Sequence, residues 1–263
     1  MKICVIGVPG IPLGKHNIKD PRLDQAHALA EAKKKVYAQV DVVGEDDALD
    51  ADAILVCRDR LLDLLIKDME FIETRLSRDP ATDEQAALLK LQAHLESEQP
   101  VFTAGLGTAE WQALTGHGFL TSKPVIIAEP DEFADPEALM VRAFMGSGYI
   151  CFLTVGGPEN RAWPIRRGLT AAEAAGNIHT DLQKGFIRAE VIAFSDFIAA
   201  GGETEAKRAG KQRLEMKPYV VQDYDLLNIR ANKSGVEVRH PLLPPPPPLR
   251  VLMPARLETA RVK

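Results

Sequence analysis

The chain has 263 residues, 46% of them hydrophobic and 26% charged, with a net charge of −5, values ordinary for a soluble globular protein of two packed domains. No window approaches the ~20 apolar residues of a membrane-spanning helix, and the opening MKICVIGVPG has neither a long apolar region nor a cleavage site, so the expectation is a cytoplasmic protein with no membrane partner. The charge is uneven: residues 1–147 carry 15 Lys and Arg against 25 Asp and Glu, residues 148–263 carry 17 against 12. An acidic first half is a poor surface for polyanions, whereas a basic second half suits RNA, although so small an excess also fits a solvated face. Cys4, Cys57 and Cys151 each sit in a short apolar run and are too far apart for a metal knuckle, so buried reduced thiols and no metal site are expected.

In chain order, Lys2–Gly7, Val36–Val43, Ala53–Cys57 and Pro124–Ala128 read as strands of a parallel sheet buried on both faces. Between the last two, Leu62, Leu65, Met69, Ile72 and Leu76 recur at helical spacing, and the series resumes after Asp79-Pro80 with Leu88, Leu91 and Leu95. That pattern predicts a helical hairpin over 61–98, with Thr82 and Gln85 forming a capping box at the second helix start. An α/β core of so few elements should leave apolar surface at Ile3–Ile6 and Ile54–Val56, so a cover is expected, either the segment Leu106–Phe119 or another subunit.

A second unit begins near Gly148. Tyr149–Val155 and Ala162–Arg167 flank the turn-rich Gly156–Asn160, Thr170 and Glu173 cap a short helix through Ile178, and a strand over Arg188–Phe194 follows. After the Gly201-Gly202 break come a polar helix near Glu203–Gly210 and two short runs, Tyr219–Val221 and Leu226–Arg230. Strand pair, helix and further strands make a small α+β domain of β-grasp type. The tail 241–263, with Pro244–Pro248, favours an extended polyproline rod and lacks the apolar density to pack.

The run from His179 through Ala193, HTDLQKGFIRAEVIA, resembles the IHTDFEKGFIRAEVI signature of the TGS domain that ends YchF-type proteins, the YchF branch of Obg-like P-loop NTPases. Arg161-Ala162-Trp163, Glu205–Lys211 and Tyr219–Asp223 fall in the same order, so the resemblance spans roughly 148–232. Met216 and Tyr224 replace glycines of the pattern, and at Tyr224 a glycine would permit positive φ. In the first half, Asp20–Asp24 with Lys33–Val36, Leu62–Leu76 and Thr121–Val125 are similar to family segments before switch II, at the helical insertion and before the base-specificity loop. The resemblance implies an α/β fold: a reduced P-loop NTPase-like parallel sheet with a helical-hairpin insertion (1–147, hairpin 61–98), followed by a β-grasp, ubiquitin-like TGS domain (148–232). It also implies an RNA or ribosome contact module, for which the residues offer Arg166, Arg167, Lys184 and Arg188 as phosphate partners, His179 beside them and Phe186 as an apolar neighbour. The bland reading is that Gly185 makes a bend, Phe186 fills the core, the cations stay wet, and His179 closes a helix.

A phosphate loop needs GxxxxGK[ST], because successive backbone N–H groups must curl around the β-phosphate, the lysine must reach the β and γ oxygens, and the hydroxyl must hold Mg²⁺. Here Gly14-Lys15 is present, but the first glycine is Pro9 and the hydroxyl position is His16. Four residues, His16–Lys19, separate Lys15 from the Asp20 motif, too few for a three-turn helix plus a strand. Asp41-Val42-Val43-Gly44 fits DxxG, yet acidic Glu45-Asp46-Asp47 follows it, and Glu129 stands where the family places an Asn that pairs with the purine. Residue chemistry therefore favours a non-catalytic RNA- or ribosome-associated binding protein with no catalytic residue and no cofactor. The alternative is residual binding of ATP or GTP with Mg²⁺, or slow hydrolysis, through Gly14, Lys15, Asp41 and Gly44. A second alternative is a protein–protein adaptor that uses the hairpin and the Pro-rich tail.

Overall fold

The computed structural model describes residues 1–30 and 32–232; the proline-rich tail 241–263 lies outside them. The first half runs β1 (Lys2–Ile6), β2 (Gly14–Ile18), α1 (Pro21–Leu29), β3 (Lys34–Val36), β4 (Ala38–Val43), β5 (Ala53–Cys57), α2 (Leu61–Leu76), α3 (Thr82–Glu96), α4 (Thr108–Ala113), β6 (Val125–Ala128) and α5 (Pro136–Gly146). Five strands form one sheet in the order β2-β4-β1-β5-β6, in which β4, β1, β5 and β6 are parallel and β2 is an antiparallel edge. The expected parallel P-loop NTPase-like sheet is present. Every residue of β5 is buried, as a continuous apolar run in a sheet covered on both sides requires.

Each face of that sheet has its own cover. Cys4, Ile6, Ile54 and Val56 pack with Leu64, Leu65 and Ile72 of α2, Leu88 and Leu91 of α3, and Leu114 and Phe119 from the segment expected to act as a cover. Ile3, Leu55, Val40 and Val42 pack on the other side with Leu139, Met140 and Phe144 of α5 and with Cys151, Leu153 and Tyr224 of the second half. The apolar surface is thus covered within the chain. All three cysteines are free and buried.

The second half runs β7 (Tyr149–Thr154), β8 (Glu159–Arg166), α6 (Ala171–Ile178), α7 (Thr180–Lys184), β9 (Phe186–Ile192), α8 (Phe194–Ala200), α9 (Glu203–Arg208), β10 (Arg213–Glu215) and β11 (Leu226–Ala231). Its sheet has the order β10-β9-β11-β7-β8-β3, with α6 packed over Phe152, Ile165, Ala189 and Val191. The capping box at Thr170 is formed: Glu173 accepts from the Thr170 N–H at 2.8 Å, and the Thr170 hydroxyl accepts from the Glu173 N–H at 3.4 Å. Among the described residues no helix is long and apolar enough to cross a membrane.

Three expectations need correction. The strand read over Val36–Val43 breaks at Tyr37, and its first piece leaves the first sheet: β3 pairs in parallel with β8, so the second sheet is completed by a strand from the first half. The capping box at Thr82 does not form; Ala81 is the N-cap and no side chain closes that end. The short spacing between Lys15 and Asp20 holds no helix, as expected, and β2 takes in Gly14 and Lys15 themselves. The strand read over Arg188–Phe194 begins at Phe186 and stops at Ile192, and Phe194 instead opens α8.

Candidate functional site

Three of the four residues read as nucleotide ligands come together, as rungs of a ladder. Gly14 pairs with Val42 and Lys15 with Asp41 across the antiparallel β2–β4 edge, so Lys15 and Asp41 lie side by side on one exposed face. Gly44 lies just beyond β4, its carbonyl accepting from Cys4 Sγ at 3.3 Å. No helix follows Gly14-Lys15; the chain continues in extended form to Ile18. At the former hydroxyl position, His16 Nε2 is 2.6 Å from the Pro12 carbonyl.

In open α/β sheets ligands bind beyond the carboxyl ends of the parallel strands. Here that crevice holds the chain's own ion pairs. Gly7, at φ 68°, follows β1, and a Cβ there would lie 2.6 Å from Cys57 Sγ and 2.9 Å from Arg60 Cγ, so the Arg60 stem lies over the turn. Its guanidinium reaches Glu45 at 3.2 Å and also pairs with Asp63, while Lys67 bonds Glu45 at 2.8 Å. Lys67, then Arg60, hold the Glu45 carboxyl below its ordinary value. Burial, with help from Glu45, pushes the Cys4 thiol up to about 11, so it stays protonated at neutral pH. After β6, Glu129 takes Arg58 Nε at 2.9 Å, and Glu132 accepts the Glu129 N–H at 2.8 Å and also pairs with Arg142.

The Asp20–Asp24 segment faces away from this crevice. Asp20 caps α1 by accepting the Arg22 N–H at 2.9 Å, and Pro21 occupies the first helical position, where its missing donor costs nothing. Arg22 then bridges the two halves: one guanidinium nitrogen bonds Asp20 at 2.7 Å, another bonds Asp223 at 2.7 Å, and the plane lies 3.7 Å from the Tyr224 ring centroid. Tyr224 has φ 63°, donates its N–H to the Cys151 carbonyl at 2.7 Å, and is 1% exposed. The non-glycine residue therefore keeps the left-handed turn, at a strain of about 1–3 kcal/mol offset by the buried ring and the stacked cation. Arg22 was not among the residues singled out, and its signal was the Asp-Pro-Arg spacing read as part of a nucleotide motif.

The residues read as RNA partners separate into two groups. Arg166, at the end of β8, bonds Asp52 at 2.6 Å and the Tyr149 hydroxyl at 3.1 Å, so it ties the second sheet to the turn before β5; Arg167 beside it is exposed. His179, Lys184 and Arg188 lie toward the other end, where α7 and β9 meet the end of β11. Counting strand rise from the Tyr149–Arg166 rung to the Arg188–Arg230 rung, the groups stand on the order of 25 Å apart. His179 closes α6, and its Nδ1 accepts from Asp181 N–H at 3.2 Å at the start of α7. Lys184 and Arg188 are exposed and make no ion pair among the described residues. Phe186 is 4% exposed and fills the core under α6 instead of the surface. The geometry adds Arg230, opposite Arg188 on β11 and paired with Glu190 at 2.8 Å.

Residues 149–232 match the family profile described as YchF-GTPase_C: Protein of unknown function (DUF933). The chain is 32% identical over 256 residues to the ribosome-binding ATPase YchF of Haemophilus influenzae, covering 73% of this chain and 69% of that one. It is 31% identical over 236 residues to the ribosome-binding ATPase YchF of Bacillus subtilis, covering 65% and 64%. Against the Haemophilus ducreyi protein of the same name, identity rises to 57% over 81 residues, 31% of this chain. The chain thus spans about two thirds of the length of the first two relatives. The structure of the Schizosaccharomyces pombe YchF GTPase superposes with a TM-score of 0.70 at 20% identity, over 88% of this chain and 97% of that one, a likeness of fold.

Proposed function

Because this chain belongs to the YchF family of Obg-like P-loop NTPases, we propose that it is a non-catalytic RNA- or ribosome-associated binding protein acting through a TGS unit over 148–232, with 1–147 as its reduced NTPase-like scaffold. The single observation that carries this reading is the position of Gly14 and Lys15 inside an antiparallel edge strand. A strand turns successive N–H groups to opposite sides, so they cannot converge on one phosphate, and no helix N-terminus stands behind them. The residues present do not fit a magnesium nucleotide: His16 replaces the metal-binding hydroxyl, Arg60 lies over the glycine turn, and Glu129 is held by Arg58. Phosphoryl transfer rests on positioning and charge stabilisation, each worth orders of magnitude, so losing the loop, the hydroxyl and the helix together leaves little acceleration.

The relatives are named ribosome-binding, which supports a ribosomal partner in the cytoplasm. On this chain the exposed cations Lys184 and Arg188, with His179 near them, offer phosphate contacts, whereas Arg166 is engaged by Asp52. Two measurements test the proposal. In a thermal melt with millimolar ATP or GTP and Mg²⁺, a ligand present at 100 times its Kd would add roughly 2.7 kcal/mol; the expected result is no shift. A shift in the wild type that Lys15→Ala abolishes would restore the nucleotide-binding reading. In ribosome co-sedimentation, the wild type is expected to pellet in a salt-sensitive way and the Lys184→Ala/Arg188→Ala variant to pellet several-fold less. Equal pelleting by both, or none by either, removes the RNA-contact assignment.

A further inference from the structure

The open edge of the first sheet carries an inference independent of the RNA-facing unit. Asp41 donates its N–H to the Met1 carbonyl at 3.0 Å and stands in register with Lys2, so its backbone groups face β1. Successive residues of a strand turn these groups to opposite sides, hence Ala38, Val40 and Val42 turn theirs to β2, where Ile18, His16 and Gly14 receive them. Lys15 and Asn17 therefore direct their N–H and C=O groups outward, and β2 is the terminal strand. Among the described residues nothing outside the β2–β4 ladder bonds to either backbone. A cleft of about 270 Å³ runs along this edge, between β2 and the first turn of α5, and its walls include Ile11, Lys15, Asn17, Pro136 and Met140.

We propose that this edge is a strand-docking site for a short, extended segment of a partner protein that alternates apolar and acidic residues. The outward amides and carbonyls of Lys15 and Asn17 supply ladder bonds, the recurring mode in which a peptide adds a strand to an exposed sheet edge. One face of an added strand meets the floor made by Ile11 and Met140, which are 9% and 4% exposed, and takes apolar side chains. The other face meets Lys15, exposed and without an ion pair among the described residues, and takes carboxylates. Glu137, the acid of the cleft, is already held by Lys19. A strand of three residues is long enough on this chain, since β3 is no longer and completes the second sheet in parallel with β8. A second copy is disfavoured as occupant, because β2 against β2 brings lysine and histidine of both copies together.

The test is fluorescence anisotropy of the full chain with a labelled seven-residue peptide alternating valine and glutamate. Asn17→Pro removes an outward N–H while leaving the His16–Val40 and Ile18–Ala38 pairs, and proline is tolerated on an edge whose N–H faces solvent. The expected result is saturable binding that weakens at least tenfold in Asn17→Pro, in Lys15→Glu and when lysine replaces glutamate in the peptide. Methylating alternate peptide amides should weaken binding to the unaltered protein by a similar factor, a readout that needs no variant to fold. Absence of saturable binding, or equal affinity for the methylated and unmethylated peptides, overturns the proposal. So does a dimer in sedimentation velocity that Asn17→Pro dissociates without peptide, which assigns the edge to a second copy.

Discussion

Single residues decide several outcomes that composition leaves open. Glu84 accepts from Arg75 at 3.0 Å and from His117 at 2.8 Å, which ties α2, α3 and the segment after α4. The Arg75 hydrogen bond, followed by that of His117, pushes the Glu84 carboxyl down to about 2. A carboxyl whose folded value lies below its unfolded one adds stability that is full above the unfolded value, about 4.3, and is lost as pH falls toward 2. Glu84→Gln should therefore unfold at lower urea than wild type at pH 7, with the gap closing between about pH 4 and pH 2. A gap that stays constant across that range would show that the charge on Glu84 contributes nothing. Tyr224 shows a different limit of reading by residue. The sequence marked it as out of place in a glycine turn, and the turn is indeed left-handed, but only the structure supplies Arg22 across its ring as the compensation.

At the scale of elements, apolar periodicity located β1, β5, β6, α2 and α3 because each buries a regular face against a neighbour. It missed elements whose signal is a cap instead of a period. Both α1 and α5 open with Asp-Pro, where the aspartate side chain accepts from the first turn and proline takes N1, and apolar periodicity marks neither. Strand β2 was illegible because Gly-Lys-His-Asn has little strand propensity, and pairing with β4 makes it. The nearness of Gly14, Lys15 and Asp41 was legible, and the ladder that joins them was not. The hairpin depends on one buried carboxylate: Asp68 of α2, 2% exposed, accepts from the N–H groups of Leu120 and Thr121 at 2.7 and 2.9 Å and from the Thr121 hydroxyl at 2.6 Å. Asp68→Ala strands all three donors, and at ~1–3 kcal/mol per orphaned buried group the loss should reach about 3 kcal/mol. That corresponds to a drop of roughly 6–12 °C in melting temperature for a protein of this size; a change below 2 °C would mean water replaces the carboxylate.

For the whole molecule, the two halves interpenetrate. The first half lends β3 to the second sheet, Asn160 is fully buried and bonds the Ala30 carbonyl and His27, Arg22 reaches Asp223 and Tyr224, and Arg166 reaches Asp52. One buried cluster runs from Ile3 to Leu226. Differential scanning calorimetry should accordingly show one transition with equal calorimetric and van't Hoff enthalpies, and two resolved transitions would contradict the shared core.

The loan of β3 has a further consequence for how such a chain can change over generations. A module that keeps all its strands can be cut out, duplicated or joined to another gene without harm, but here the last strand of one sheet is encoded more than a hundred residues before its neighbour. A break anywhere between Val36 and Glu159 deprives the second sheet of an edge it cannot replace. The two halves are bound to be inherited together, and recombination within that interval is selected against even where the excised segment has no chemistry of its own.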